Sequence, residues 1–346
     1  MRRLILFTAA FVFTPACVLA HEVYVLPKDV VLHAMTMPPL AVFDIVRSNA
    51  HQFFFWAFIT AWTILTIFLI SISKPIEHSL HPWLARIKTY APLVARLTLG
   101  SAITASGYFG AIFGPELLFS DFLPASIAPE AGLFLIILGT LITAGLFTRI
   151  CASLLILTYV YMWFHYGTYM LTYINYFGEM VLTLVAGNAV YAVDRYFHHL
   201  YPHLLHNIVP WLEEHTFLIV RVTFGLSLIY ASLYAKFLHA QLALDTVLMY
   251  HLTNYFPFEP SFIVLGALCI ELLLGLFFVF GIEVRFASLF LLFWLTLSLL
   301  YFKEAVWPHI VLAGVAITIF MHGYDRYTFQ VRMMGKRLKA SFEPMF

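Results

Sequence analysis

Charged residues are scarce in this chain. Asp, Glu, Lys and Arg make up 11% of its 346 residues, against about 25% in an average soluble domain. The few charges nearly cancel, leaving a formal net charge of +1, which argues against a nucleic-acid partner because such a partner requires a basic surface. Cysteine is scarcer still. Cys17, Cys151 and Cys269 stand far apart with no CxxC pair, so neither a disulfide framework nor in-chain thiol–disulfide chemistry is expected. The sequence also lacks a haem or iron–sulfur cysteine pattern, a phosphate-binding glycine loop and a nucleophile motif. Any redox centre serving this chain would have to be borrowed from elsewhere.

What the chain has in abundance is apolar surface. It is 62% hydrophobic and 18% aromatic, with a mean hydropathy of +0.89, where soluble domains average about 45–50% apolar residues. Arg2-Arg3, the apolar run Leu4 to Leu19, and Ala20 before His21 read as a signal peptide over 1–20, with retention as an anchor helix the alternative. An extracytoplasmic segment 21–51 would follow. Spanning helices need about 20 apolar residues, and the candidates are roughly 52–72, 92–113, 131–148, 150–165, 170–192, 217–239, 261–281, 286–302 and 305–322. Most Lys and Arg residues, from Lys74 and Arg86 through Arg149 and Arg285 to Lys339, fall on one side of these spans. Only Lys28, Arg47, Lys236 and Lys303 fall near the other. By the positive-inside rule the mature N-terminus is outside and the basic tail 323–346 is cytoplasmic.

The chain also repeats itself. Val94-Ala95-Arg96-Leu97-Thr98-Leu99-Gly100 returns as Ile219-Val220-Arg221-Val222-Thr223-Phe224-Gly225. Arg149-Ile150-Cys151-Ala152-Ser153-Leu154 returns, one residue shorter, as Arg285-Phe286-Ala287-Ser288-Leu289, and Asp194-Arg195-Tyr196 as Asp325-Arg326-Tyr327. Matches in the same order, spaced roughly 130 residues apart, are the signature of a duplicated unit. The expected architecture is all-α: two four-helix repeats at 92–192 and 217–322, a cytoplasmic linker 193–216, and 52–72 as an extra transmembrane helix. An even number of spans per repeat makes the repeats parallel, related by an axis along the membrane normal.

Several of these residues resemble the DoxX family of small four-helix membrane proteins. The resemblance rests on Arg221 and Gly225, the stretch from Tyr230 to Lys236-Phe237, the Gly275-Leu276-Phe277 step toward Arg285, and Glu304-Ala305-Val306-Trp307-Pro308-His309. The first repeat keeps Arg96, Gly100 and Gly145-Leu146-Phe147-Thr148-Arg149, lacks the Lys, and has Gly178-Glu179 opposite Pro308-His309. The resemblance implies a membrane subunit of a quinone-linked redox system, with a membrane quinone as its cofactor and a redox partner subunit. It also leaves open a non-catalytic binding or assembly protein, or a small-molecule transporter.

Ionisable groups inside spans are costly and usually face a cavity or one another. Lys236 and Glu271, on consecutive spans of the second repeat, are the candidate lining of a substrate or quinone pocket; the alternative is a structural ion pair. Glu179 and His309 hold matching places in the last helix of each repeat and are the candidate catalytic, proton-handling pair; the alternative is hydrogen bonding within each bundle. In the linker, His199, His203 and His206 have a metal-ligand spacing. Pro202, Pro210 and the surrounding leucines point instead to membrane-surface packing, and no metal is expected. The aromatic run from Trp163 to Phe177 reads as an outer belt.

Overall fold

The computed structural model describes residues 26, 28–47, 49–186, 191–197, 209–303, 305–329 and 331. The signal-peptide reading, His199, His203, His206 and most of the basic tail lie outside the described residues. Among the described residues the chain is helical, with one isolated bridge between Ala111 and Leu118 and no strand.

The long helices are α1 (Asn49–Lys88), α2 (Ala91–Phe109), α3 (Ala128–Ala144), α4 (Thr148–Tyr166), α5 (Ile174–Val185), α6 (Val209–Ser232), α7 (Ala240–Met249), α8 (Pro260–Phe280), α9 (Val284–Phe302) and α10 (Val306–His322). Among the described residues, five stretches are long and apolar enough to cross a membrane: His51–Ser73, Thr148–Val185, Pro210–Leu238, Pro260–Phe280 and Val284–Phe302. The protein is therefore an all-α, multi-pass membrane protein. One of those stretches holds two helices. Tyr159 donates a hydrogen bond to the Met170 carbonyl at 2.8 Å, whereas a straight helix would set residues eleven apart about 16 Å from each other. The chain turns back at Gly167 (φ 58°, ψ −136°) through a 3₁₀ segment, Gly167–Tyr173.

Three features are not in the sequence expectation. The first helix does not stop near 72 but continues to Lys88, through Pro75 and Pro82. Its apolar window ends at Ser73, and a hydropathy pattern cannot register helix that continues as Lys74-Pro75-Ile76-Glu77. The helix α7, within the connection after 239, is too short at 10 residues to give a span signal. The two Asp-Arg-Tyr motifs do different work. Asp194 begins a short helix and accepts hydrogen bonds from Phe147 N (2.7 Å) and Thr148 N (2.8 Å), capping α4. Asp325 follows the end of α10 and takes Tyr327 N at 2.9 Å.

The matched Arg-x-x-x-Gly segments have matched surroundings. Arg221, almost wholly buried, donates to the carbonyls of Phe278 and Val279 in the last turn of α8. A cation there satisfies orphan carbonyls and faces the negative end of the helix dipole. Four residues on, Gly225 lies against α8, where a Cβ would come 2.5 Å from the Gly275 carbonyl oxygen. In the other segment Gly100 faces Gly139 of α3, and Arg96 donates to the Tyr191 carbonyl at 3.1 Å. Small residues that let backbones touch are a standard interface in lipid, where no hydrophobic force drives helices together. Gly145 (φ 72°) and Gly281 (φ 69°) then end α3 and α8, and a Cβ on either would sit 2.7 or 2.8 Å from the neighbouring arginine. The helices also cross-pack in matching fashion: α2 lies on α10 and α6 on α5.

Candidate functional site

A cavity of about 650 Å³ lies between α1, the end of α6, α7, α8, α9 and α10. Its wall is mostly aromatic and aliphatic, with Phe54, Phe58, Leu228, Ile263, Ile270, Trp294 and Leu312 among the contributors. That size and character suit a ligand with a large apolar body, held in place by a few polar groups. The polar groups are Lys236, Thr246, Glu271, Ser298 and His309.

Lys236 reaches this cavity because α6 does not end regularly. Its last turn widens into a π segment, Leu233–Leu238, a local underwinding common at functional sites. Nζ of Lys236 lies 3.1 Å from Oε2 of Glu271, with the lysine side chain 6% exposed and the glutamate 21%. The structure thus brings these two sequence candidates together in the wall of one cavity. Burial of a lone charge would be costly, and the pairing offsets that cost.

The other two candidates are not brought into one cavity. His309 lines the large cavity and is nearly buried, with Nδ1 2.9 Å from the Ala305 carbonyl oxygen. A carbonyl only accepts, so Nδ1 is the protonated nitrogen in this contact. Glu179 is fully buried in α5 and accepts a hydrogen bond from Thr98 of α2 at 2.8 Å. It lines neither this cavity nor the smaller one beside it. Matching places in two halves need not mean a shared site: Glu179 is turned toward Thr98 of α2, and His309 toward the cavities.

The smaller cavity, about 50 Å³, shares Leu228, Ala231, His309 and Leu312 with the larger one. Its remaining wall is made by Thr172, Tyr173, Asn175, Tyr176 and Ser227 with Pro308, which present mostly apolar atoms to it. The hydroxyls of Tyr169 and Tyr173 both donate to Oε1 of Glu116, the former at 2.8 Å. In the sequence the tyrosines stand only as part of an aromatic belt, far from Glu116. Their convergence depends on the chain reversals at 110–118 and 167, which no local pattern announces.

Among the described residues, no cluster of three or more His, Cys, Asp or Glu side chains could hold a metal ion. His215, at the end of the linker 193–216, is described. Its Nδ1 meets the Trp211 carbonyl, and its ring lies between Trp211 and Tyr327. Compared with family models, curated proteins and solved structures, the chain matches none.

Proposed function

We propose that this chain is a DoxX-like membrane subunit that binds a membrane quinone, or an amphiphile of similar build, in the cavity between α1 and α6–α10. The observation carrying the reading is the cavity itself: apolar over most of its wall, with an ion pair and an imidazole at its polar positions. A quinone presents an apolar tail and carbonyl oxygens. Lys236 donates to such an oxygen, Glu271 holds the lysine in place, and His309 exchanges a proton with a ring hydroxyl through Nε2. In this reading the chain comprises two parallel repeats plus α1 in the cell membrane, with the mature N-terminus outside and the C-terminus in the cytoplasm. Electrons come from a redox partner subunit or soluble donor, because the sequence carries no cofactor-ligating cysteine set.

The test is purification in mild detergent with mass spectrometry of bound lipids, beside quinone reduction in membranes with and without the protein. Thiosulfate and sulfide are the first donors to try. A stoichiometric bound quinone and a donor-dependent loss of reduction on deletion are expected. Protein that carries no quinone, from membranes whose reduction rates are unchanged, overturns the reading. A non-catalytic binding or assembly role is the second reading. The engagement of Glu179 by Thr98 and of Lys236 by Glu271 favours it, since both can serve as ties between helices.

A further inference from the structure

We propose that the large cavity is entered sideways from the lipid, through a window between α1 and α8, so that a bound amphiphile keeps its chain in the bilayer and only its head inside. The proposal rests on the reading of that cavity as a ligand site. The two helices run in the same direction and are pinned together at two levels. At the first, the His51 ring stacks on Phe262 with centroids 4.5 Å apart. At the second, the Trp62 indole sits against Phe277 of α8 and Phe290 of α9, with ring centroids 6.1 Å from each. The stretch of α1 from one pin to the other is about 16 Å long. Between the pins α1 lines the cavity with Ala57, Phe58 and Ala61, and α8 with Ile263, Gly266 and Ala267. Ala57 and Ala61 are nonetheless exposed. An alanine has only a methyl group to present, so one that is both exposed and cavity-lining stands at an opening. Across from them, a Cβ on Gly266 meets nothing within 4 Å.

The sides away from this window are packed. α7 presents Ala243, Thr246 and Val247 to the cavity, and its other face is covered by Leu26, Val31 and Ala34, which pack on a fully buried Leu242. Leu40 N donates to the Phe237 carbonyl at 2.9 Å, fastening that covering segment to the π segment that carries Lys236. Phe54 meets Phe258 edge-on, centroids 5.1 Å apart, beside the loop that leads into α8. At the deep end Leu274 and Leu291 belong to the main core and are buried. Size points the same way. A volume of about 650 Å³ falls within the range of about 300–1,000 Å³ that encloses a drug-sized body. A head group and the start of a long chain fit, and the rest of the chain lies outside. It leaves where lipid, and not water, receives it, because only water penalises apolar surface. The second pin is weakly held. The buried Nε1 of Trp62 has no hydrogen-bond partner, and an unsatisfied donor penalises the closed arrangement, which lowers the cost of moving α1 aside.

The experiment is photo-cross-linking of the full-length protein in phosphatidylcholine liposomes free of quinone. Benzoylphenylalanine replaces Leu312, which borders both cavities and so stands on the bundle side of the large one. Intact mass spectrometry after irradiation reads the covalent phosphatidylcholine adduct. An adduct is expected, because a lipid chain that passes the window reaches this wall. In the double variant Ala57→Leu with Ala61→Phe, which fills the window, its yield should fall about tenfold or more, since a close-packed wall admits no chain. The same probe at Phe68, 54% exposed on α1, should label in both backgrounds, and at the fully buried Phe113 in neither. Ala61→Phe alone decides the matter if the double variant does not fold. No adduct at 312 beside normal labelling at 68 would show a cavity sealed from lipid and overturn the proposal. An undiminished adduct in the plugged variants would show another route and overturn it equally. The readout needs no quinone, so absence of a bound quinone would remove the ligand reading and leave this result standing.

Discussion

At the scale of single residues, the decisive feature is that a lysine and a glutamate share one apolar wall. Removing one partner of a buried pair costs about 3–5 kcal/mol, much of it the penalty of the orphaned charge. Glu271 keeps a fifth of its side chain exposed, so Glu271→Gln should cost toward or below the lower end of that range. Adding Lys236→Met should restore part of the loss, and thermal unfolding in detergent of the two single variants and the double variant measures it. Asp325 supplies a pH dependence. Burial, the largest influence, pushes its carboxyl up, while Arg221, the Tyr327 and Thr328 backbone groups and Arg326 pull it back. A raised folded-state value means the folded protein holds the proton more tightly than the unfolded chain. This contribution to stability is therefore full below the unfolded value and is lost as pH rises through the folded one. Asp325→Asn keeps an oxygen for Tyr327 N and removes the charge, so its melting temperature should exceed wild type at neutral pH and converge with it in acid.

At the scale of elements, the arginine–glycine pairs explain why the helices end and pack where they do. Arg221→Met should leave the Phe278 and Val279 carbonyls without their donor and cost about 1–3 kcal/mol. Far-UV circular dichroism and melting curves would show a destabilised but helical protein. How much of this is legible in sequence depends on the element. The apolar runs mark the positions of α2–α6 and α8–α10, because in lipid every backbone group must be satisfied internally and helix is the only open-chain solution. The polar continuation of α1 to Lys88, the short α7 and the π segment at Lys236 are not legible. Hydropathy reports burial in lipid, and these segments are shaped by contacts with the rest of the chain. Two opposite charges on consecutive apolar spans announce Lys236 with Glu271. The aromatic wall around them and the Tyr173–Glu116 contact become visible only when the loops close.

At the scale of the whole molecule, two halves with like local motifs have unlike interiors. In the first, the 111–118 loop lays Phe113 and Leu117 into the bundle, both essentially buried, against Tyr159 and Tyr176. In the second, the corresponding region is hollow and flanked by α1 and α7. The topology read from the basic residues has its own check. A phosphatase that folds only outside the cytoplasm, fused after Lys339, should be inactive, and activity there would reverse the assignment.

The central claim is that the hollow half holds a quinone-like amphiphile, and Gly266 gives direct access to it. It lines the large cavity, and a Cβ built there meets nothing within 4 Å, so Gly266→Phe should fill the space without disturbing the helix packing. The measurement is the amount of quinone co-purifying per mole of wild-type and Gly266→Phe protein, with equal melting temperatures as the control. The account predicts close to one equivalent on the wild type and loss of most of it in the variant. Equal quinone on both, or none on the wild type, would contradict it.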